Sequence, residues 1–422
     1  MRPRLFGIAA SVAAFGLLGS LITACGSSGS DGTTLRLVVP EYGDNPANGS
    51  KAYWDKLTAA FTAAHPGKKV EVTIYPWADV DREVTRMVQA DDAPDVALMG
   101  AYSDFAAQGR LYAASDLLPI RAEANFLPPL AEAGSIDDTL YGLPFVASSR
   151  LLFYNEELFD KAGAKPPKTW SDLKDAAKAL KKDGVPYPYA LPLGPEEAHA
   201  EALIWELSNG GGYTDGSGGY SIASRQNAET FSWIKDNLVT PGLTGPTPPA
   251  ALNRQDAFTA FLRGDVGMVN GYPSLLNEAR AKGMKVGTLT MPVSDTLSEG
   301  ITPPSVGVAD WMMAFKHDGN RELVGSFVNF VYEDKNLSAF AERYHLLPST
   351  VTATQATATD PGAEQFLTAL RTAQLYPVND PSWLQVSNII KRNIGKAVAP
   401  TADPKTVLED IAQEARGVTQ RQ

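Results

Sequence analysis

The sequence predicts an α/β fold divided into two lobes, and three observations carry that prediction. Strand-like and helix-like segments alternate from Leu35 onward, the pattern of largely parallel sheets covered by helices. The chain has 422 residues, well beyond the ~100–200 of a single domain, so it can build more than one core. Its composition is that of an ordinary globular body, 44% hydrophobic and 20% charged, which sets aside disorder, collagen-like repeats and a polytopic membrane protein.

The first strand is predicted over 35–39 and is closed by Pro40. Tyr53, Trp54, Leu57, Ala60, Phe61 and Ala64 recur at helical spacing behind Ser50, a side chain suited to capping, and His65-Pro66-Gly67 ends that helix. Residues 70–75 alternate as a strand, 79–89 read as a helix and 94–99 as a short buried strand, which completes a βαβαβ start. In such folds ligands gather beyond the carboxyl ends of the strands, so the loops beginning at Glu41, Pro76 and Gly100 draw notice. They carry Tyr42, Trp77 and Tyr102.

Tyr141 to Phe145 holds a Gly/Pro pair and reads as a passage between lobes. Helices follow over 171–182, with Trp170 just outside as a hydrophobic staple, and over 198–208. Gly210 to Gly216 reads as a turn feeding a hairpin through its Asp-Gly pair. Ser224 is placed to cap a helix that runs to Leu238, 241–249 is a Pro/Gly-rich surface loop, 254–262 a helix and 266–270 a strand. Five helices are predicted to end the chain, over 320–332, 336–344, 363–371, 383–397 and 404–416.

The N-terminus reads as an address. Arg2 and Arg4 precede an apolar run from Leu5 to Ile22, then Thr23, Ala24 and Cys25, the layout of a secretory signal peptide over residues 1–24. An uncleaved membrane helix is the alternative, weakened by Gly7, Gly16 and Gly19. Cys25 is the only cysteine, so no disulfide forms within the chain. Leu21 to Cys25 resembles the bacterial lipobox, which implies a lipid on Cys25; the plain alternative is a free thiol. Residues 26–32, GSSGSDG, then read as a flexible tether.

Charge and motifs narrow the function. The 37 Lys+Arg stand against 48 Asp+Glu, a net charge of −11, which opposes nucleic-acid binding through phosphate neutralisation. His65, His199, His317 and His345 are scattered and no metal-ligand spacing appears, so neither a metal nor a cofactor is expected. There is no G-x-S-x-G elbow, phosphate loop or dinucleotide fingerprint. Asp91-Asp92, Glu156-Glu157 and Glu196-Glu197 read as solvated surface, since adjacent acids point in different directions. A glycoside hydrolase, the rival from another class, would need two carboxylates about 5–10 Å apart across a cleft.

Several local patterns, in order, resemble the extracellular solute-binding proteins of ABC importers, in the carbohydrate branch related to maltose-binding protein. They are Pro94 to Leu98 followed by Gln108 to Leu111, Tyr141 to Pro144 with Leu152 to Asn155, Pro166 to Leu173, Phe261 to Met268, and Leu346 to Ser349. The resemblance spans nearly the whole chain after residue 25. It implies a two-lobe fold of the type II periplasmic-binding-protein kind, three crossings and a ligand held between the lobes. On that pattern 35–143 plus 271–314 form lobe one, and 144–270 plus 315–422 form lobe two. It further implies a non-enzymatic monomer that carries a small carbohydrate to an ABC permease outside the cytoplasmic membrane. A polyol, a glycerophosphodiester or a signalling partner stays open.

Sugars offer apolar C–H faces and a rim of hydroxyls, so flat aromatics and fixed polar groups mark the expected site. The strand-end loops nominate Tyr42, Trp77, Tyr102 and Ser103; the resemblance adds Trp205, Tyr272, Asp310 and Trp311. Packing is the competing reading for each, most of all for Trp205 between Leu203 and Leu207. Trp54, Trp170, Trp233 and Tyr154 are read as packing residues.

Overall fold

A computed structural model describes residues 32–43, 48–215, 218–297, 303–317, 319–357 and 361–420. The signal peptide, Cys25 and most of the tether lie outside the described residues. The strands in chain order are β1 Thr34–Pro40, β2 Lys69–Tyr75, β3 Val96–Met99, β4 Ser135–Ile136, β5 Thr139–Leu140, β6 Leu143–Ser149, β7 Leu151–Asn155, β8 Tyr187–Tyr189, β9 Val266–Gly271, β10 Val286–Leu289, β11 Gly307–Ala314 and β12 Leu347–Pro348. Two principal sheets result, one per lobe: β12-β6-β11-β3-β1-β2 and β10-β7-β9-β8, with β4 and β5 a small separate pair.

The predicted helix behind Ser50 forms as Ser50–Ala64 and buries Tyr53, Trp54, Leu57 and Phe61, the stripe its spacing dictates. Ser50 is its first residue, and its hydroxyl accepts the Tyr42 N–H at 2.8 Å. Helix Trp170–Lys182 is capped by Thr169 in a capping box: Thr169 accepts from Asp172 N and Asp172 accepts from Thr169 N. Trp170 is therefore inside the helix, not ahead of it, and packs its ring on Trp205 and Trp233.

The sheets are mixed. β1 pairs β2 and β3 in parallel, but β11 runs antiparallel between β3 and β6, and β7 runs antiparallel to both β9 and β10. Strand pairing also redraws the lobes. The expected first crossing near 143 lies at Ser149–Leu151, because Leu143–Ser149 is a strand of the first sheet. The stretch 271–314 does not belong whole to lobe one, since β10 pairs β7 and holds the chain in lobe two until Gly307. Nor does 315–422 belong whole to lobe two. Helices Arg321–Val331 and Asp334–Tyr344 bury Val324, Phe327 and Phe340 in the core with Leu35, Trp54 and Phe61. Helices Trp383–Asn393 and Pro404–Thr419 then complete lobe two, where Ile390 and Leu408 join Leu203 and Phe231.

The three crossings are stitched together. Arg150 N donates to Val306 O at 3.1 Å, the Ser305 hydroxyl donates to Arg150 O at 2.7 Å, and Gln374 N donates to Ser305 O at 2.8 Å. Among the described residues this narrow ribbon joins the two bodies, an arrangement suited to hinge bending.

Candidate functional site

Segments of the two lobes approach each other beside the hinge ribbon. On the first wall, Glu41 accepts from Gly43 N and Ser50 N and so fixes the loop after β1. That loop presents Tyr42, whose ring sits among Trp77, Phe340 and Tyr344 at centroid distances of 5.2, 4.8 and 5.4 Å. Tyr42 donates its hydroxyl to Asp310 Oδ2 at 2.7 Å. Burial pushes the Asp310 carboxyl up to about 7, against the opposing effect of the Tyr42 hydrogen bond. Trp77 opens helix Trp77–Gln89 and is 38% exposed. One turn on, Asp81 has its carboxyl raised by burial, with Lys391 from the other lobe acting against that rise. Burial likewise takes Asp104 up to about 6.

The opposite wall is an ion-pair cluster. Arg150 leaves the hinge ribbon with its side chain 6% exposed and pairs with Glu197. Glu197 also pairs with Arg254 at 2.8 Å, Arg254 donates to the Tyr272 hydroxyl at 2.5 Å, and the Arg150 guanidinium lies 4.5 Å from the Tyr272 ring centroid. Burial opposes ionisation of Glu197, yet the two arginines outweigh it and hold its pKa below the ordinary value. Beside this cluster His199, Tyr376 and Trp383 stack, with Tyr376 on Trp383 at 5.4 Å. Burial keeps His199 neutral by driving its pKa well down. The walls meet at Ser103, whose hydroxyl donates to Asp380 O at 2.8 Å. Asp380 in turn accepts from Ser382 N and its hydroxyl, and Ser382 bonds the Tyr220 hydroxyl.

Several buried polar atoms in these walls have no partner among the described residues: Asp81 Oδ1, Asp104 Oδ1, His199 Nδ1 and Tyr376 Oη. A buried polar group left unpaired costs about 1–3 kcal/mol, so each of these atoms gains from a partner supplied by a ligand. Both donors and acceptors are represented. Among the described residues no group of three or more His, Cys, Asp or Glu is arranged to hold a metal ion.

Of the residues expected from sequence, Tyr42, Trp77, Asp310 and Tyr272 do come to the facing walls, and Ser103 comes to their meeting point. Trp205 does not: it is fully buried within lobe two, with Nε1 donating to Glu201 and Tyr189 and its rings against Trp170 and Trp233. Tyr102 and Trp311 are fully buried and lean on each other at 5.6 Å; the Tyr102 hydroxyl donates to Ala133 O inside lobe one. The acids expected as solvated surface include Glu197, which is instead locked between two arginines because the start of helix Ala198–Leu207 folds back on the hinge. Asp81, His199, Tyr376 and Lys391 carried no sequence signal. Nor was Arg150 among the expected site residues, because the crossing is predicted near 143 and only strand pairing places it at Ser149–Leu151.

The profile of one protein family matches residues 45–337 of this chain, that of the bacterial extracellular solute-binding proteins. The chain belongs to that family. This solute-binding protein is 26% identical over 419 residues to a binding protein of Brucella abortus, across 96% of this chain and 98% of the relative. It is 25% identical over 345 residues to the sn-glycerol-3-phosphate-binding periplasmic protein UgpB of Rhizobium meliloti, covering 74% and 77% of the two chains. In fold it resembles an ABC transporter solute-binding protein of Thermotoga lettingae bound to α-D-tagatose, with TM-score 0.77, 18% identity and coverage of 92% and 99%. It also resembles maltose-bound MalE3 of T. maritima, with TM-score 0.76, 19% identity and coverage of 92% and 100%. The two-lobe α/β architecture is thus that of the solute-binding proteins. No helix among the described residues is long and apolar enough to cross a membrane.

Proposed function

We infer that this protein captures a small carbohydrate between its lobes, outside the cytoplasmic membrane, and delivers it unchanged to an ABC permease. The observation that carries the reading is the set of unpaired polar atoms contributed by both lobes, Asp81 and Asp104 from one and His199 and Tyr376 from the other, with the Lys391 charge felt by Asp81 and His199 alike. A polyhydroxylated ligand supplies donors and acceptors to all of them at once, and its C–H faces suit Tyr42, Trp77 and Tyr272. Contacts to both lobes favour the closed form only when ligand is present, and that difference is the signal a permease reads. The sugars named for the structurally similar proteins support the class without naming the member.

The body works as a monomer tethered through lipid on Cys25, and performs no chemistry on its ligand. The test is a thermal-shift screen of the full-length chain against mono-, di- and oligosaccharides and polyols, with the mixtures then analysed for breakdown. Ligand at one hundred times its Kd adds about 2.7 kcal/mol of stability. Stabilisation by an intact sugar is the expected result; hydrolysis products would make the protein an enzyme. Mass spectrometry of the exported chain reports whether Cys25 carries acyl groups.

A further inference from the structure

A phosphate ester is bound by arginines whose N–H forks are free to grip it in a bidentate way. The cleft has two arginines in position, Arg150 and Arg254, yet neither is free. Glu197 takes one N–H from each, on Oε1 from Arg150 and on Oε2 from Arg254. Arg254 spends further donors on Glu196 and on the Tyr272 hydroxyl, and Arg150 spends another on Ser148 Oγ at 3.0 Å while its face stacks on Tyr272. Glu197 also immediately precedes helix Ala198–Leu207, so its negative charge lies beside a helix start that would otherwise favour an anion.

The surroundings do not restore the positive charge. Asp310 lies within electrostatic reach of both Arg150 and Glu197, and Asp81 faces across from the other lobe. Lys391 is a further cation, and its charge acts on Glu197, His199 and Asp81 alike.

We propose that Glu197 is a specificity-determining residue: by engaging Arg150 and Arg254 together it makes the cleft take uncharged polyhydroxy ligands and refuse phosphate esters. Its role is exerted through the two arginines, which become fixed posts for the Tyr272 ring instead of anion receptors. This rests on the carbohydrate reading above and separates two ligand classes that the relatives leave side by side.

The experiment measures binding of a neutral sugar panel and of sn-glycerol 3-phosphate to the full-length chain and to Glu197→Gln, by calorimetry at low salt. Wild type is expected to bind a neutral sugar at least a hundredfold tighter than the phosphate ester. Glu197→Gln is expected to gain tenfold or more for the phosphate ester, a gain that loss of structure cannot produce. Wild-type binding of the ester within tenfold of the best sugar overturns the proposal, as does a folded, sugar-binding Glu197→Gln with no gain. If Glu197→Gln does not fold, Glu196→Gln frees one Arg254 ion pair at a more exposed site, and a gain of twofold or more is required of it. Wild type that binds neither class removes the carbohydrate reading, while the gain in the variant still decides the charge argument.

Discussion

Tyr42 and Asp310 lie 268 residues apart, yet the Tyr42 hydroxyl donates to Asp310 Oδ2 at 2.7 Å. The bond joins the loop after the first strand to the strand that re-enters lobe one from lobe two. It places a buried acid, with a pKa of about 7, beside the aromatic floor of the cleft.

The acid sets a pH dependence. Asp310 and the buried Glu201 both sit at about 7, above their ordinary values near 4, with burial the largest cause in each. For a raised carboxyl, the contribution to stability is fully present below about pH 4 and is lost as pH rises through 7. The unliganded protein is therefore expected to melt higher at pH 5.5 than at pH 8. Glu201→Gln, which keeps an acceptor for Tyr189 and Trp205, should flatten that slope, read by calorimetric Tm across pH. An unchanged slope in both Glu201→Gln and Asp310→Asn would contradict this assignment.

Two tryptophans separate binding from packing. Trp77→Ala removes a half-open ring and should cost less than about 1 kcal/mol of stability while weakening sugar binding tenfold or more. Trp205→Ala empties a fully buried site and should cost about 3–5 kcal/mol. Denaturation and calorimetry on the two variants give opposite patterns if the assignments hold.

Glu206 is a liability in the lobe-two core. Both carboxyl oxygens are buried without partners among the described residues, and burial drives its pKa well up. Glu206→Met should stabilise the protein by about 1–2 kcal/mol in urea denaturation, because an apolar chain of similar length removes the unpaired atoms.

The bond from the Ser103 hydroxyl to Asp380 O joins the two lobes. Ser103→Ala loses one hydrogen bond to Asp380 O, about 1 kcal/mol, and should weaken sugar affinity about fivefold with Tm of the free protein nearly unchanged. A comparable drop in free-protein Tm would mean that the bond also holds in the absence of ligand.

Much of the fold was legible because helix and strand periodicity are local properties. Helix Arg254–Leu262 is the predicted 254–262, and strand Thr34–Pro40 extends the predicted 35–39 by one residue at each end. The candidate site was half legible: position after a strand nominates Tyr42 and Trp77, and the resemblance adds Tyr272. Trp205 was misjudged as a possible stacking ring because a tryptophan on an apolar helix looks the same whether its helix faces a cleft or a core.

The sequence alone determined the α/β class, the place of most helices, the Ser224 cap and the aromatics that follow strands, all of them set by neighbours within a few residues. Only the tertiary structure decided which sheet β10 joins, that Arg321–Val331 returns to lobe one, and that Glu197 meets Arg150 and Arg254. Those outcomes depend on pairing between segments far apart in the chain, and the local pattern of one segment does not name the segment it will pair with.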